Sequence, residues 1–429
     1  MTHPPMKWLA RLTFVTILVG IGSGLSGLVV SFLLHGLEHL VYGFGEGDFL
    51  DELPTPSNGL RVLALFIAGV IGGFGWWAVR RWGRRVVSVE AAVKGERMPF
   101  WSSLGNIALQ IVIVGLGASI GREVAPRELA ALAAQWITRK TGVTFRETRI
   151  LVACGAGAGL AAVYDVPLGG AVFAVEILLA ELTLATVVPA IATSAIAAIV
   201  ARLVTSAAPL YSVPHLELSP SLIVWSIIAG PVMGFAALGF VVLAKKAGER
   251  RPKSWGILIV MPVVFTAVGV LSIWFPQILG NGRALGQLGF DGGANLDGAT
   301  LGAAPLLFIL IIVLLKLIST VGTIGAGAAG GTLTPSLALG SGLGAVLGGL
   351  WLLLWPGSGI AAFAFVAAAS FLAASMRAPL TALVLVVEFT GQGQAILVPA
   401  LLAIAGSMTI GYMITRRQLW KTPRGEGVA

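Results

Sequence analysis

Apolar residues run in long stretches separated by short polar ones. The runs are Leu9–Leu34, Leu60–Val79, Ile107–Ile120, Leu222–Ala244, Ile257–Ile273, Leu306–Val321, Ile360–Ala374 and Ala395–Ile414. Most are long enough to cross a hydrocarbon core as helices. Gly and Pro interrupt several of them, which in membrane helices marks close packing or a deliberate break. The first run is too long for a cleavable signal, and Gly-rich apolar sequence continues where a cleavage site would sit. Two polar stretches, around Ser206–Pro220 and Pro276–Thr300, read as loops. The pattern predicts an all-α polytopic membrane protein, a single membrane domain over residues 1–429 with no appended soluble domain.

Composition sharpens this reading. The chain is 57% hydrophobic and 11% charged, far from a soluble average. Its net charge of +9 suggests a nucleic-acid partner. The basic residues, however, cluster in short segments at Lys7–Arg11, Arg80–Arg85, Arg139–Lys140, Lys245–Lys253 and Arg416–Arg424. Positive-inside bias accounts for them, placing both termini on the cytoplasmic side of a cell membrane and leaving no nucleic-acid partner. The single cysteine, Cys154, excludes an internal disulfide and reads as a small packing residue.

The chain also repeats itself. AAVYDVPLGGAVFAVEI (161–177) lies over AASMRAPLTALVLVVEF (373–389) at an offset of 212, with seven of seventeen positions identical. Pro167/Pro379, Leu168/Leu380 and Glu176/Glu388 carry the weight of that match. GREVAPRELAAL (121–132) lies over GGTLTPSLALGS (330–341) at an offset of 209, each with proline at its sixth position. Two halves, each with an interrupted helix start, predict an internal-repeat transporter or channel with its site where the repeats meet. The halves run over about 12–204 and 221–415, and a short tail follows over 416–429. Glu176 and Glu388 read as structural hydrogen-bonding groups within the bundle.

The chemistry concentrates in GASIGREVAPRELAAL (117–132), where Arg122 and Glu123 sit in apolar, glycine-rich sequence. An ionisable group at such depth faces a cavity or a partner. Glycine-loosened backbone, then a charge, then proline breaks a membrane helix so that its N-terminal N–H groups point at an anion. The bland alternative is a salt bridge from Glu123 to Arg122 or Arg127. Two decoys are set aside. His35, Glu38 and His39 fit an H-x-x-E-H zinc-peptidase pattern, but no third ligand motif accompanies them, so an intramembrane zinc metallopeptidase is a remote alternative and no metal is expected. Gly325, Gly327 and Gly330 fit G-x-G-x-x-G, yet a membrane run stands where a strand is required.

With these motifs in hand, the chain resembles the CLC family of chloride channels and proton-coupled chloride transporters over about residues 15–422. Its most specific pieces are GRE at 121–123 and KLISTVGTIGAGAAGGTLTPSLALGSGLGA at 316–345. The resemblance implies a homodimer with one anion pathway per subunit. It also implies roughly eighteen uneven helices, many tilted and broken, in two inverted repeats. Glu123 then matches the gating glutamate, and Thr332, Leu333 and Thr334 match the backbone amides that cradle the anion. This agrees with the residues' own chemistry. Chloride is a weakly basic acceptor, best held by several N–H dipoles rather than by one fixed cation.

The departures from the family pattern are informative. Val124 and Ala125 stand where the family has Gly-Pro after GRE, though their amides remain available to an anion. The family's G-S-G-I-P motif is not visible. Aligning on Glu90 puts Arg84 near its serine, with Ser88 four residues on. Trp420 stands near the usual C-terminal tyrosine, where its indole N–H can donate one bond. A second glutamate commonly follows the position of Glu176, but here it is Ile177. Glu181, one helical turn on at i+4 from Ile177 and so on its face, is the candidate substitute proton donor, the bland alternative being a solvated helix end. The resulting expectation is a Glu123-gated chloride or small-anion channel without a cofactor, the alternative being a proton-coupled antiporter.

Overall fold

The computed structural model describes residues 6–43, 57–205, 208–292, 303–393 and 395–421. The first eight α-helices are α1 (Met6–Tyr42), α2 (Asn58–Trp82), α3 (Val89–Val93), α4 (Phe100–Gly115), α5 (Val124–Thr141), α6 (Phe145–Tyr164), α7 (Pro167–Phe173) and α8 (Leu184–Arg202). The next eight are α9 (Pro220–Glu249), α10 (Ile257–Leu271), α11 (Arg283–Asp291), α12 (Ala303–Gly325), α13 (Leu333–Leu352), α14 (Ile360–Met376), α15 (Pro379–Thr390) and α16 (Leu397–Lys421). A π-helical stretch over Ala174–Leu179 continues α7, and a 3₁₀ turn covers Pro276–Ile278. Among the described residues, seven helices are long and apolar enough to cross a membrane. Others are shorter, and α8, α9 and α10 each carry an internal proline. Such breaks survive at membrane depth because neighbouring helices re-satisfy the freed backbone.

The polar stretch after Pro276 departs from the loop reading. It contains α11, whose Leu285 and Phe290 are buried, and Ser341 of α13 donates to the Gly286 carbonyl at 2.9 Å. The sequence hid this helix because its nine residues sit among glycines.

Small residues set the packing. Gly20 and Gly24 of α1 form a G-x-x-x-G pair, and a Cβ at either would fall within 3 Å of Ile196 or Val200 on α8. Close backbone approach of this kind is how membrane helices associate without a hydrophobic driving force. The centre belongs to α6 and α14. Residues 150–162 and 360–374 are buried on every side, so these Ala/Gly-rich helices have no solvent or lipid face. Cys154 is one of these buried residues.

The second eight helices follow the first eight in order, and their equivalence reaches the backbone. Asp165 and Arg377 both take the left-handed conformation, at φ 54° and 55°, just before α7 and α15 begin on Pro167 and Pro379. Glu176 accepts the amides of Leu380 (3.1 Å) and Thr381 (2.6 Å) and the Thr381 hydroxyl (2.6 Å). Glu388 accepts the amides of Leu168 (3.0 Å) and Gly169 (2.6 Å). Each half therefore caps the other's broken helix, a reciprocal exchange that a pseudo-two-fold relation requires.

Candidate anion site

Two helix N-termini define the site. α4 ends at Gly115 and α12 at Gly325, and each is followed by a non-helical segment before α5 and α13 begin. Gly117 (φ 94°) and Gly327 (φ 102°) make the equivalent turns. The two segments meet as a short antiparallel bridge. The Gly121 amide donates to the Gly331 carbonyl at 2.9 Å and the Gly331 amide to the Gly121 carbonyl at 3.0 Å. Lys316 fastens this region from behind. Fully buried, its ammonium donates to the Ser119 hydroxyl (2.9 Å) and to the carbonyls of Ile278 (2.9 Å) and Gly280 (2.7 Å).

Glu123 is the N-cap residue of α5, and its side chain is fully buried. Its carboxylate turns away from its own helix and onto α13. The Leu333 amide donates to Oε1 at 2.7 Å, and the Thr334 hydroxyl donates to Oε2 at 3.2 Å. The bridge makes room for it, because a Cβ on Gly121 or Gly331 would lie 2.2 Å and 1.8 Å from a carboxylate oxygen. Glycine is required at both positions by this close approach. Both helices then place proline third, Pro126 in α5 and Pro335 in α13. Proline has no N–H, so the first-turn donors are confined to Val124 and Ala125 on one side and Leu333 and Thr334 on the other. Thr332 is the N-cap residue of α13. A carboxylate in the positive end of a helix occupies the place of an anion.

The neighbouring arginines do not neutralise it through side-chain pairs. Arg127 Nε donates to the Glu123 backbone carbonyl at 2.8 Å, with its guanidinium over the Phe173 ring. The Arg122 guanidinium lies 5.1 Å from the Tyr164 ring centroid. The salt-bridge alternative for Glu123 is not what the structure shows.

Other sequence candidates fall elsewhere. Ser88 caps α3 by accepting the Ala91 amide at 3.3 Å, and both Ser88 and Arg84 are exposed. No hydrogen bond or ion pair among the described residues joins either to Glu123, Leu333 or Thr334. Trp420 lies in α16 beyond the last described side chain. The Glu181 reading needs correction. Ala180 takes a left-handed conformation (φ 51°) and ends the helix, so Glu181 shares no helix face with Ile177. Its carboxylate instead pairs with Arg146 at 3.3 Å at a partly exposed edge. His35 and His39 lie on the exposed side of α1, and no three His, Cys, Asp or Glu residues gather as a metal-holding group among the described residues.

Sequence reasoning passed over Tyr164 and Tyr211. Both are buried, and their rings pack on Phe389 and Phe290 respectively. The chain has only four tyrosines, and two of them converge beside Arg122. That scarcity was the available signal.

The chain is similar to known proteins in sequence and in fold. A family model described as "Voltage gated chloride channel" matches residues 64–412. The chain is 31% identical over 406 residues to the "Voltage-gated ClC-type chloride channel ClcB" of Escherichia coli O81, covering 88% of this chain and 91% of that one. It is 28% identical over 411 residues to the "Putative chloride channel protein ClcB-like" of Ralstonia nicotianae, covering 91% and 92%. Among solved structures, a slow cyanobacterial Cl⁻/H⁺ antiporter superposes with a TM-score of 0.78 at 20% identity, covering 99% of this chain and all of that one. A CLC-type fluoride/proton antiporter superposes with a TM-score of 0.71 at 19% identity, covering 97% and 98%.

Proposed function

This chain belongs to the voltage-gated chloride channel (CLC) family of membrane proteins, and on that premise we propose that it exchanges chloride or a similar small anion for protons, with Glu123 as the gate. The observation that carries the proposal is the Glu123 carboxylate on the Leu333 amide and the Thr334 hydroxyl. The donors that would hold an anion are held by the side chain, so carboxylate and anion compete for one place. Protonation removes the charge on which the hydrogen bonds to Glu123 depend. Such charge-assisted bonds are worth about 1.5–3 kcal/mol each, against about 0.5–1.5 for neutral ones. The neutral side chain leaves, the anion enters, and the proton is bound where the anion was blocked. Proton uptake and anion entry then share one carboxylate, which is the elementary requirement for exchange. That the two solved structures that superpose on the chain are a Cl⁻/H⁺ and a fluoride/proton antiporter supports this reading.

A channel is the second reading, and Ile177 favours it. The π-helical stretch offers no carboxylate after Glu176, and Glu181 is held by Arg146. A dry stretch without an ionisable relay raises the barrier to proton entry. The names of the sequence relatives point the same way. Liposomes with a chloride gradient and a pH-sensitive dye separate the two. Exchange predicts uphill proton movement driven by chloride, and passive conduction predicts none.

The inner anion ligand is left unassigned among Arg84, Ser88 and Trp420. The working assembly under this proposal is a homodimer in a bacterial inner membrane with both termini cytoplasmic. Mass photometry giving only a 44.2 kDa species would refute the dimer.

A further inference from the structure

Two of the basic segments that lie far apart in the chain meet in space. Arg80 and Arg81 close α2 and Lys253 follows α9, and with Trp77, Ser254 and Trp255 they line an open cleft of about 450 Å³. The cleft sits where two membrane-length helices, α2 and α9, end and α10 begins, which is the level of the membrane surface. No carboxylate pairs with Arg80, Arg81, Arg251 or Lys253 among the described residues. Residues 80–85 contain no acid, and Glu249, the acid of 245–253, lies 3.9 Å from Lys245. Arg80 forms the floor, its Nη2 donating to the Gly327 carbonyl at 3.0 Å and its Nη1 to the Pro252 carbonyl at 3.3 Å. It also feels the like charge of Arg251. Positive-inside bias puts basic residues in loops, but it does not require them to converge on one cleft without an acid.

The surroundings decide the ligand. A guanidinium and an ammonium without a carboxylate are matched by phosphate oxygens, which accept charge-assisted hydrogen bonds. Trp82 packs edge-on against Trp77 at 5.2 Å, and Trp82 and Trp255 are exposed, as tryptophans are at the level of lipid headgroups. The Phe74 ring lies 5.8 Å from Trp77, and Ile71 stands one turn below it on the same helix. Both are exposed, so an apolar face runs from the cleft along α2 toward the bilayer core. A soluble phosphate leaves that face uncovered, whereas a phospholipid covers it with an acyl chain. We propose that this cleft binds an anionic phospholipid, with its phosphate on Arg81 and Lys253 and an acyl chain along Phe74 and Ile71. The lipid's charge offsets the repulsion between Arg80 and Arg251. Arg80 keeps its bond to Gly327, which ties the occupied cleft to the segment between α12 and α13. The site does not depend on the transport reading above.

The test is titration of the purified full chain with phosphatidylglycerol, read by native mass spectrometry. Arg81→Gln with Lys253→Gln should weaken the tightest-bound lipid about fivefold per basic group removed, so about 25-fold for the pair. Arg139→Gln with Lys140→Gln removes the same charge at the end of α5 and should leave that affinity unchanged. An equal loss in the two pairs would overturn the proposal, since the lipid would then follow total charge rather than the cleft. Equal affinity for the neutral phosphatidylcholine would overturn it too. Millimolar inorganic phosphate should not displace the lipid, and displacement would replace the phospholipid with a soluble phosphate. Should the double variant not fold, lipids with brominated acyl chains give the answer in wild type. The part of the emission that Trp255→Phe removes should be quenched more strongly by brominated phosphatidylglycerol than by brominated phosphatidylcholine. Equal quenching by the two lipids contradicts the assignment.

Discussion

Glu176 and Glu388 place their carboxylates on the N-termini of α15 and α7, while Glu123 places its carboxylate on the N-terminus of α13. The local chemistry is the same in all three, a negative group accepting backbone N–H where a helix begins. What differs is the symmetry. Glu176 and Glu388 answer one another across the repeat, so every broken helix is capped and neither carboxylate can leave without exposing amides. Glu123 has no such counterpart, because Thr332 occupies the equivalent position of the second half. Its donors lie in the other half, on α13, but no carboxylate returns from that half to α5, and under the proposed function they serve an anion as well. Chemistry preserved in both halves holds the fold together, and chemistry kept in one half is free to move.

The largest effect that separates the two kinds of carboxylate is on stability. Glu176→Ala strands two amides and a hydroxyl and should cost about 3 kcal/mol or more. Glu388→Ala should behave alike. Glu123→Ala should cost far less, because the α13 amide it frees lies where an anion can take its place. Thermal unfolding in detergent with saturating chloride checks this ranking. Equal losses in all three variants would break the comparison.

A finer pair of substitutions removes one hydroxyl from each kind. Thr381→Val deletes the donor on Glu176, and Thr334→Val deletes the donor on Glu123. The first should lower stability by about 1 kcal/mol and leave anion flux per folded protein unchanged. The second should leave melting nearly unchanged and raise flux at a given pH about two- to tenfold, since the gate loses one of its two bonds. Stopped-flow liposome efflux together with melting curves reads both. A flux change in Thr381→Val without unfolding would show that the structural pair also moves.

The smallest effect concerns Glu181. Glu181→Gln removes one side of a partly exposed ion pair with Arg146, worth at most about 1 kcal/mol. Proton flux should be unaltered. A loss of proton flux would restore the relay role that the end of the helix at Ala180 argues against.

Much of this was legible in the chain, for physical reasons that differ by region. The long apolar runs announced α1, α2, α4, α9, α10, α12, α14 and α16, because a helix that meets lipid or, like α14, is buried among other helices must be apolar along its length. Pro167/Pro379 and Glu176/Glu388 announced the repeat, because caps and helix starts need particular residue types. α8 and α6 were passed over. The first is as apolar as α1 and is missed although its hydropathy was there to be read, while the second opens with Arg146, Glu147 and Arg149, which dilute its apolar pattern. At the site, Glu123, Leu333 and Thr334 were named from sequence and meet in space. Tyr164 and Tyr211 were not, because a buried tyrosine looks like any core aromatic until its neighbours are seen. The Glu181 error came from assuming that a helix continues, when a single left-handed residue ends it.

The central claim is that one carboxylate competes with the anion for α13 and yields when protonated. Chloride efflux from liposomes, recorded against pH for wild type and Glu123→Gln, tests it most directly. Lower pH neutralises the gate, so wild-type flux should rise as pH falls. The glutamine variant, already neutral, should be fast and nearly flat across the same range. Coincident pH profiles for the two proteins would contradict the claim.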